Sequence, residues 1–294
     1  MAKTETNNLS VNIKVAVRIR PGKANDQEVE YDETKNTISG GHGMHAPRPF
    51  TFDRILGVRR DQQHVYDCLE CEKMILDCCQ GYNSCIVAYG QTGSGKTYNI
   101  EGIIDRDVHD TRNGAGLAPR SMTALFRYLN EMHQSNPEYT WLVRVSFLEI
   151  YNDNCYDLLN KKVDEIRQRA TSCGGGHHGQ DVLNMTHPPD LRLDIRENIP
   201  EDDSEDFSAP ISRDLPPGLS RFYADGLIER TVHCANDVVN ILREGSENRS
   251  KCKVGRQIHM SSRSHALLTV NIESDNESRQ ELLSCVPLSI ELYM

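Results

Sequence analysis

The chain has 294 residues, of which 37% are hydrophobic, and a formal net charge of −10. That content suffices for a full α/β core in one domain, while the polar start MAKTETNNLS lacks the apolar run of a secretion signal and no stretch approaches 18 apolar residues. A reducing, intracellular setting without membrane attachment is therefore expected, with the ten cysteines as thiols, and the acidic balance disfavours nucleic acid as a partner.

Residues 1–10 are polar and are expected to be disordered. The valine-rich alternation from Ile13 to Ile19 predicts a first strand, stopped by proline in Arg18-Ile-Arg-Pro21. Phe50-Thr-Phe-Asp53 is the next marker, and a helix is expected from about Asp61 to Gln80, closed by Gly81. His64, Cys68, Cys71, Cys78 and Cys79 fall within it. They read as parts of an amphipathic helix in which cysteine acts as a small hydrophobe, the competing reading being a metal cluster.

The short apolar run from Ser84 to Tyr89 predicts a strand buried on both faces. It leads into Gly90-Gln-Thr-Gly-Ser-Gly-Lys-Thr97, which fills every position of the phosphate-binding pattern G-x-x-x-x-G-K-[ST]. Gly90, Gln91, Thr92, Gly93, Ser94 and Gly95 form a loop whose backbone can wrap a triphosphate. Lys96 reaches the β- and γ-phosphates, and Thr97 offers its hydroxyl to Mg²⁺ at a helix N-terminus.

Beyond the loop, Met122, Leu125, Phe126, Leu129 and Met132 keep helical spacing, while Trp141, Val143, Val145 and Phe147 keep strand spacing. Residues 161–218 are rich in Gly, Pro, His and acid and read as a surface insertion. Within it Gly174–Gly179 reads as a linker, Leu191–Ile195 as a short strand and Glu201–Asp206 as a solvated run. Order is expected to resume at Phe222–Gly226. Val238, Val239, Ile241 and Leu242 predict a helix stopped by Gly245, and His265–Glu273 predicts a strand. The alternation of elements gives an α/β class, with a mostly parallel central sheet flanked by helices on both faces.

Arg18-Ile-Arg-Pro21, Phe50-Thr-Phe-Asp53, Gly81-Tyr-Asn83, GQTGSGKTY at 90–98, Gly116-Leu-Ala-Pro-Arg120, Phe147-Leu-Glu-Ile-Tyr-Asn152 with Asp157-Leu-Leu159, and Ser261-Ser-Arg-Ser-His265 occur in the order and rough spacing of the kinesin motor domain. The sequence resembles a kinesin from about residue 11 to residue 274. The resemblance implies a microtubule motor of cytoplasm and cytoskeleton that couples ATP hydrolysis, with Mg²⁺, to movement along microtubules. It implies that Arg18, Pro21 and Tyr98, with Tyr82 beside them, contact the adenine side. Ser262 would sense the γ-phosphate and Mg²⁺, with Ser261 adjacent, and Arg263 would bridge to a switch II glutamate.

Two departures qualify the resemblance. Ile258 stands where the family carries asparagine, unless a local shift of register lets His259 or Gln257 substitute. No D-x-x-G follows the SSRSH segment, and residues 275–294 do not resemble the family. The C-terminal part of the motor fold is therefore expected to be missing, microtubule binding weakened and turnover slow. Leu282–Tyr293 is apolar enough to fill the slot beside the P-loop strand, although Pro287 forbids one ladder bond. The alternative is a truncated, non-motile nucleotide- or partner-binding fragment of a kinesin. A third reading, an unrelated P-loop ATPase with Glu149 as its acid, is opposed by the SSRSH and R-x-R-P segments.

Overall fold

The computed structural model describes residues 13–22, 29–40, 48–103, 114–160, 192–198, 221–251, 264–276, 281–284 and 288–293. The chain divides into two compact units, Met1–Cys71 and Glu72–Met294.

In the first unit, β1 (Ala16–Arg18) runs parallel to β5 (Arg54–Leu56). Asp53 fixes this pair, because its Oδ2 accepts from the Val15 amide at 2.7 Å. Between them β2 (Glu30–Asp32), β3 (Thr37–Gly40) and β4 (Arg48–Thr51) form an antiparallel three-stranded sheet. Helix α1 (Gln62–Cys68) starts at Asp61, whose carboxylate caps the His64 amide at 2.7 Å.

The single helix expected over 61–80 is instead two. Glu70 takes a left-handed φ of 55°, which ends α1, and α2 (Cys71–Cys79) begins at the next residue. Gly81, at φ 95°, closes α2 by donating to the Cys78 carbonyl. Cys71, Cys78 and Cys79 are buried, and burial pushes the Cys71 thiol up to about 12, so it packs as a neutral apolar side chain.

The second unit is built on one eight-stranded sheet. Its central pair is β7 (Tyr139–Tyr151) against β13 (Ser264–Asn276), antiparallel over thirteen residues. Val143, Val145 and Phe147 face Ile272, Val270 and Leu268 across this ladder, and all six are fully buried. Each such side chain contributes about 1.5–3 kcal/mol on leaving water. β8 (Asn154–Asp157) and β9 (Arg192–Leu193) extend the sheet on one side, and β12 (Arg230–Val232) also pairs with β7. On the other side come β15 (Leu288–Tyr293) and then β6 (Cys85–Val87), while β14 (Glu281–Ser284) pairs with the end of β13. β10 (Ile195–Asn198) and β11 (Arg221–Ala224) form a separate antiparallel pair.

This sheet is not mostly parallel. Among the described ladders of this sheet only β6–β15 is parallel, and the others are antiparallel. One of these ladders has a local cause: Asn152 and Asp153, at φ 48° and 60°, make the two-residue turn that joins antiparallel β7 and β8. β6 also differs from expectation, since Cys85 and Val87 are exposed and Ile86 is half-buried. It has one strand partner among the described residues, β15, and so stands at the edge of the described sheet.

Helix α3 (Lys96–Ile100) lies against β15, and α4 (Leu117–Ser135) and α5 (Ala235–Lys251) pack on each other and on β7. Phe126 of α4 meets Trp141 of β7 edge to face at 5.5 Å. The expected stop at Gly245 does not occur, because α5 continues through it. Gly245 is buried against Phe147, and an added Cβ would lie 2.1 Å from the Phe147 ring, so close packing and not helix termination requires glycine there. The expected linker at 174–179 and the acidic run at 201–206 lie outside the described residues.

Candidate functional site

The 90–97 loop leaves the carboxyl end of β6 and enters α3 at Lys96. Gly93 and Gly95 hold φ of 81° and 102°, which a side chain would strain, and they turn the backbone around the loop. No side chain caps the N-terminus of α3, where Gly95 occupies the cap position. Gln91, Thr92 and Thr97 are exposed, and Ser94 is half-buried.

Lys96 is 7% exposed, and its Nζ donates to the carbonyls of Gly90 at 2.6 Å and Gln91 at 3.0 Å. It forms no ion pair among the described residues. Burial, and then the nearby charge of Arg249, lower its pKa below the ordinary lysine value. An anion in the loop would oppose both effects. The glycine-lined backbone, the uncapped helix start and the buried ammonium together fit a phosphate group with its divalent cation.

A buried ionic network stands beside the loop. Arg249 of α5 donates from Nε to Glu149 Oε1 at 3.0 Å and from Nη2 to Ser264 Oγ at 2.9 Å. Glu149 lies on the same face of β7 as Val143, Val145 and Phe147, and therefore points at the helical layer. One turn earlier on α5, the Ser246 hydroxyl donates to Glu101 Oε1 at 2.9 Å, just past the end of α3. Asn248 donates to the Leu158 carbonyl at 2.8 Å. The last turns of α5 thus tie the end of α3, the strand β7 and the first residue of β13 together.

Arg249 had no assigned role in the sequence, although a signal was present. Val238, Leu242, Gly245 and Arg249 recur at helical spacing, which places the arginine on the buried stripe of α5 where it needs a carboxylate. Glu149 is that carboxylate. Its reading as a strand-end acid of an unrelated ATPase does not fit, because β15 and β13 separate β7 from β6.

The other residues singled out in the sequence are placed as follows. Lys96, Thr97 and Gly90–Gly95 come together in one loop, and Tyr98 and Tyr82 are exposed in the same unit. Arg18 and Pro21 belong to the first unit, where Arg18 donates to Gln62 Oε1 at 2.8 Å and to the Arg60 carbonyl at 3.0 Å. Ser261, Ser262 and Arg263, like Ile258, lie outside the described residues, whereas Ser264 and His265 open β13.

A family model for the kinesin motor domain matches residues 3–190. Kinesin-like protein KIF15 of Strongylocentrotus purpuratus is 32% identical over 268 residues, covering 89% of this chain and 15% of its own length. Kinesin-like protein KIN-5B of Oryza sativa subsp. japonica is 26% identical over 297 residues, covering 98% of this chain and 24% of its own. The chain therefore spans a quarter or less of the length of these curated relatives. A solved structure of a fast kinesin superposes with a TM-score of 0.64 at 24% identity, over 95% of this chain and 63% of that one.

Proposed function

The chain belongs to the kinesin motor-domain family, and on that premise we propose that it binds ATP with Mg²⁺ at residues 90–97 and couples ATP hydrolysis to microtubules. The observation that carries the reading is the Lys96 ammonium, buried at the mouth of a glycine-rich loop and held only by the carbonyls of Gly90 and Gln91 among the described residues. The motor region is residues 11–274, with a surface insertion at about 161–218.

In this reading the loop backbone of Gly90–Gly95 orients the phosphates, and Lys96 exchanges its carbonyl contacts for phosphate oxygens as charge accumulates there. Thr97, the second residue of α3, supplies its hydroxyl to Mg²⁺. Bound Mg²⁺ would neutralise charge between the β- and γ-phosphates. Arg18, Pro21 and Tyr98 serve the base side, and Ser262 and Arg263 close on the γ-phosphate. The Arg249–Glu149 pair holds Ser264, one residue beyond Arg263, against the core. Among the described residues no helix is long and apolar enough to cross a membrane.

Cosedimentation with polymerised tubulin tests the coupling. Pelleting is expected to differ between ADP and a non-hydrolysable ATP analogue, and the difference should vanish in Lys96→Ala. Pelleting that ignores the nucleotide, or none at all, would contradict the microtubule part of the proposal.

A further inference from the structure

Helix α3, which carries Lys96 and Thr97, is five residues long, too short to hold its own shape in water. Its stance is therefore set by what grips it. At its last turn Ile100 is fully buried, and the start of α4 packs so closely that a Cβ on Gly116 would run into the Ile100 carbonyl. Glu101 follows at the end of the helix. Its amide donates to the Thr97 carbonyl at 2.8 Å, and its own carbonyl accepts from the Gly116 amide at 3.0 Å.

The Glu101 side chain turns inward, with the residue 5% exposed, and accepts from the Ser246 hydroxyl at 2.9 Å. Burying a carboxyl group is costly without such a donor, and this donor belongs to a different element. Ser246 stands one turn before Arg249, which is itself fixed to Glu149 and Ser264. The last turns of α5 thus form a post anchored to the sheet, and Ser246 fastens the end of α3 to it.

We propose that the Ser246–Glu101 bond is a positioning contact, which holds α3 at the angle where the Thr97 hydroxyl meets the Mg²⁺ of a bound nucleotide. This rests on the nucleotide reading above. The two side chains that α3 brings to the ligand differ in slack. Lys96 reaches phosphate on a flexible four-carbon stem that absorbs a small shift of the helix, whereas the Thr97 hydroxyl sits on a short β-branched side chain that cannot follow one. Because the Glu101 amide is bonded one turn back to Thr97 itself, a displacement of Glu101 is passed directly to Thr97. Loosening the contact therefore costs metal-dependent binding first.

The test is a titration of the full chain with a fluorescent ADP, first in EDTA and then at saturating Mg²⁺. Wild type is expected to bind more tightly when Mg²⁺ is added. Ser246→Ala should keep the Mg²⁺-free affinity and reduce the Mg²⁺-dependent gain about tenfold, the low end of the cost of removing a group that orients a metal ligand. Ser246→Thr, which keeps the hydroxyl, should retain the wild-type gain. Urea unfolding of the same proteins without nucleotide separates positioning from packing: a Ser246→Ala protein that is less stable but shows the full Mg²⁺ gain would overturn the proposal. A Ser246→Thr protein that loses as much gain as Ser246→Ala would also overturn it, since the hydroxyl would then not be what matters. If Ser246→Ala does not fold, Ser246→Cys decides, because it offers a weaker donor in a similar volume. A reduced gain in that variant supports the role, and a wild-type gain overturns it. A wild type that binds no nucleotide would overturn this proposal along with the nucleotide reading, which Lys96→Ala tests separately by losing binding in EDTA as well.

Discussion

Arg249 Nε lies 3.0 Å from Glu149 Oε1, with the two side chains 5% and 1% exposed. The pair ties α5 to β7, and the same guanidinium holds Ser264 at the start of β13. Removing one partner strands the other charge in the core. Arg249→Met is expected to destabilise the fold by about 3–5 kcal/mol in urea unfolding, and the double variant Arg249→Met/Glu149→Leu to recover most of it. A single variant as stable as wild type would show that the pair is not structural.

Gly245 separates two effects of opposite sign. In an exposed helix, glycine to alanine gains about 1 kcal/mol. Here the new methyl meets the Phe147 ring at 2.1 Å, and overpacking of this kind costs about 1–3 kcal/mol. Gly245→Ala is therefore expected to lower stability, and to cost less in a Phe147→Leu background, where the ring is gone. A stabilised Gly245→Ala would contradict the packing described for α5.

Asp237, in the first turn of α5, accepts from the amides of His233 at 2.8 Å and Cys234 at 3.2 Å. The His233 bond leads in holding its carboxyl below the ordinary aspartate value, opposed by burial. The stabilisation is thus fully present above the unfolded aspartate pKa of about 3.9 and is lost as pH falls through the lowered folded value. Asp237→Ala should cost about 1 kcal/mol at neutral pH, with a difference from wild type that shrinks in acid. A difference independent of pH would place the effect elsewhere.

The phosphate loop was legible because its requirements are local: glycines at the turns, a lysine and a threonine at the helix start, and a strand before them. Strands β7 and β13 were legible from alternation, although both proved longer than the apolar pattern. The direction of pairing was not. It depends on the Asn152–Asp153 turn and on which distant segments meet, and no periodicity records that. The break at Glu70 and the passage of α5 through Gly245 show the same limit, since left-handed backbone and a facing aromatic ring overrode patterns that read correctly by themselves. The suggestion that Leu282–Tyr293 fills the slot beside the P-loop strand agrees with the position of β15, whose parallel register only the structure supplies.

The central claim is that residues 90–97 hold a nucleotide through Lys96, and isothermal calorimetry of ATP binding to wild type and Lys96→Ala tests it most directly. The lysine is the buried cation of the loop, so its loss should weaken binding at least about tenfold, or roughly 1.4 kcal/mol, while leaving the far-ultraviolet circular dichroism unchanged. Equal ATP affinity in the two proteins, or no heat of binding in the wild type, would contradict it.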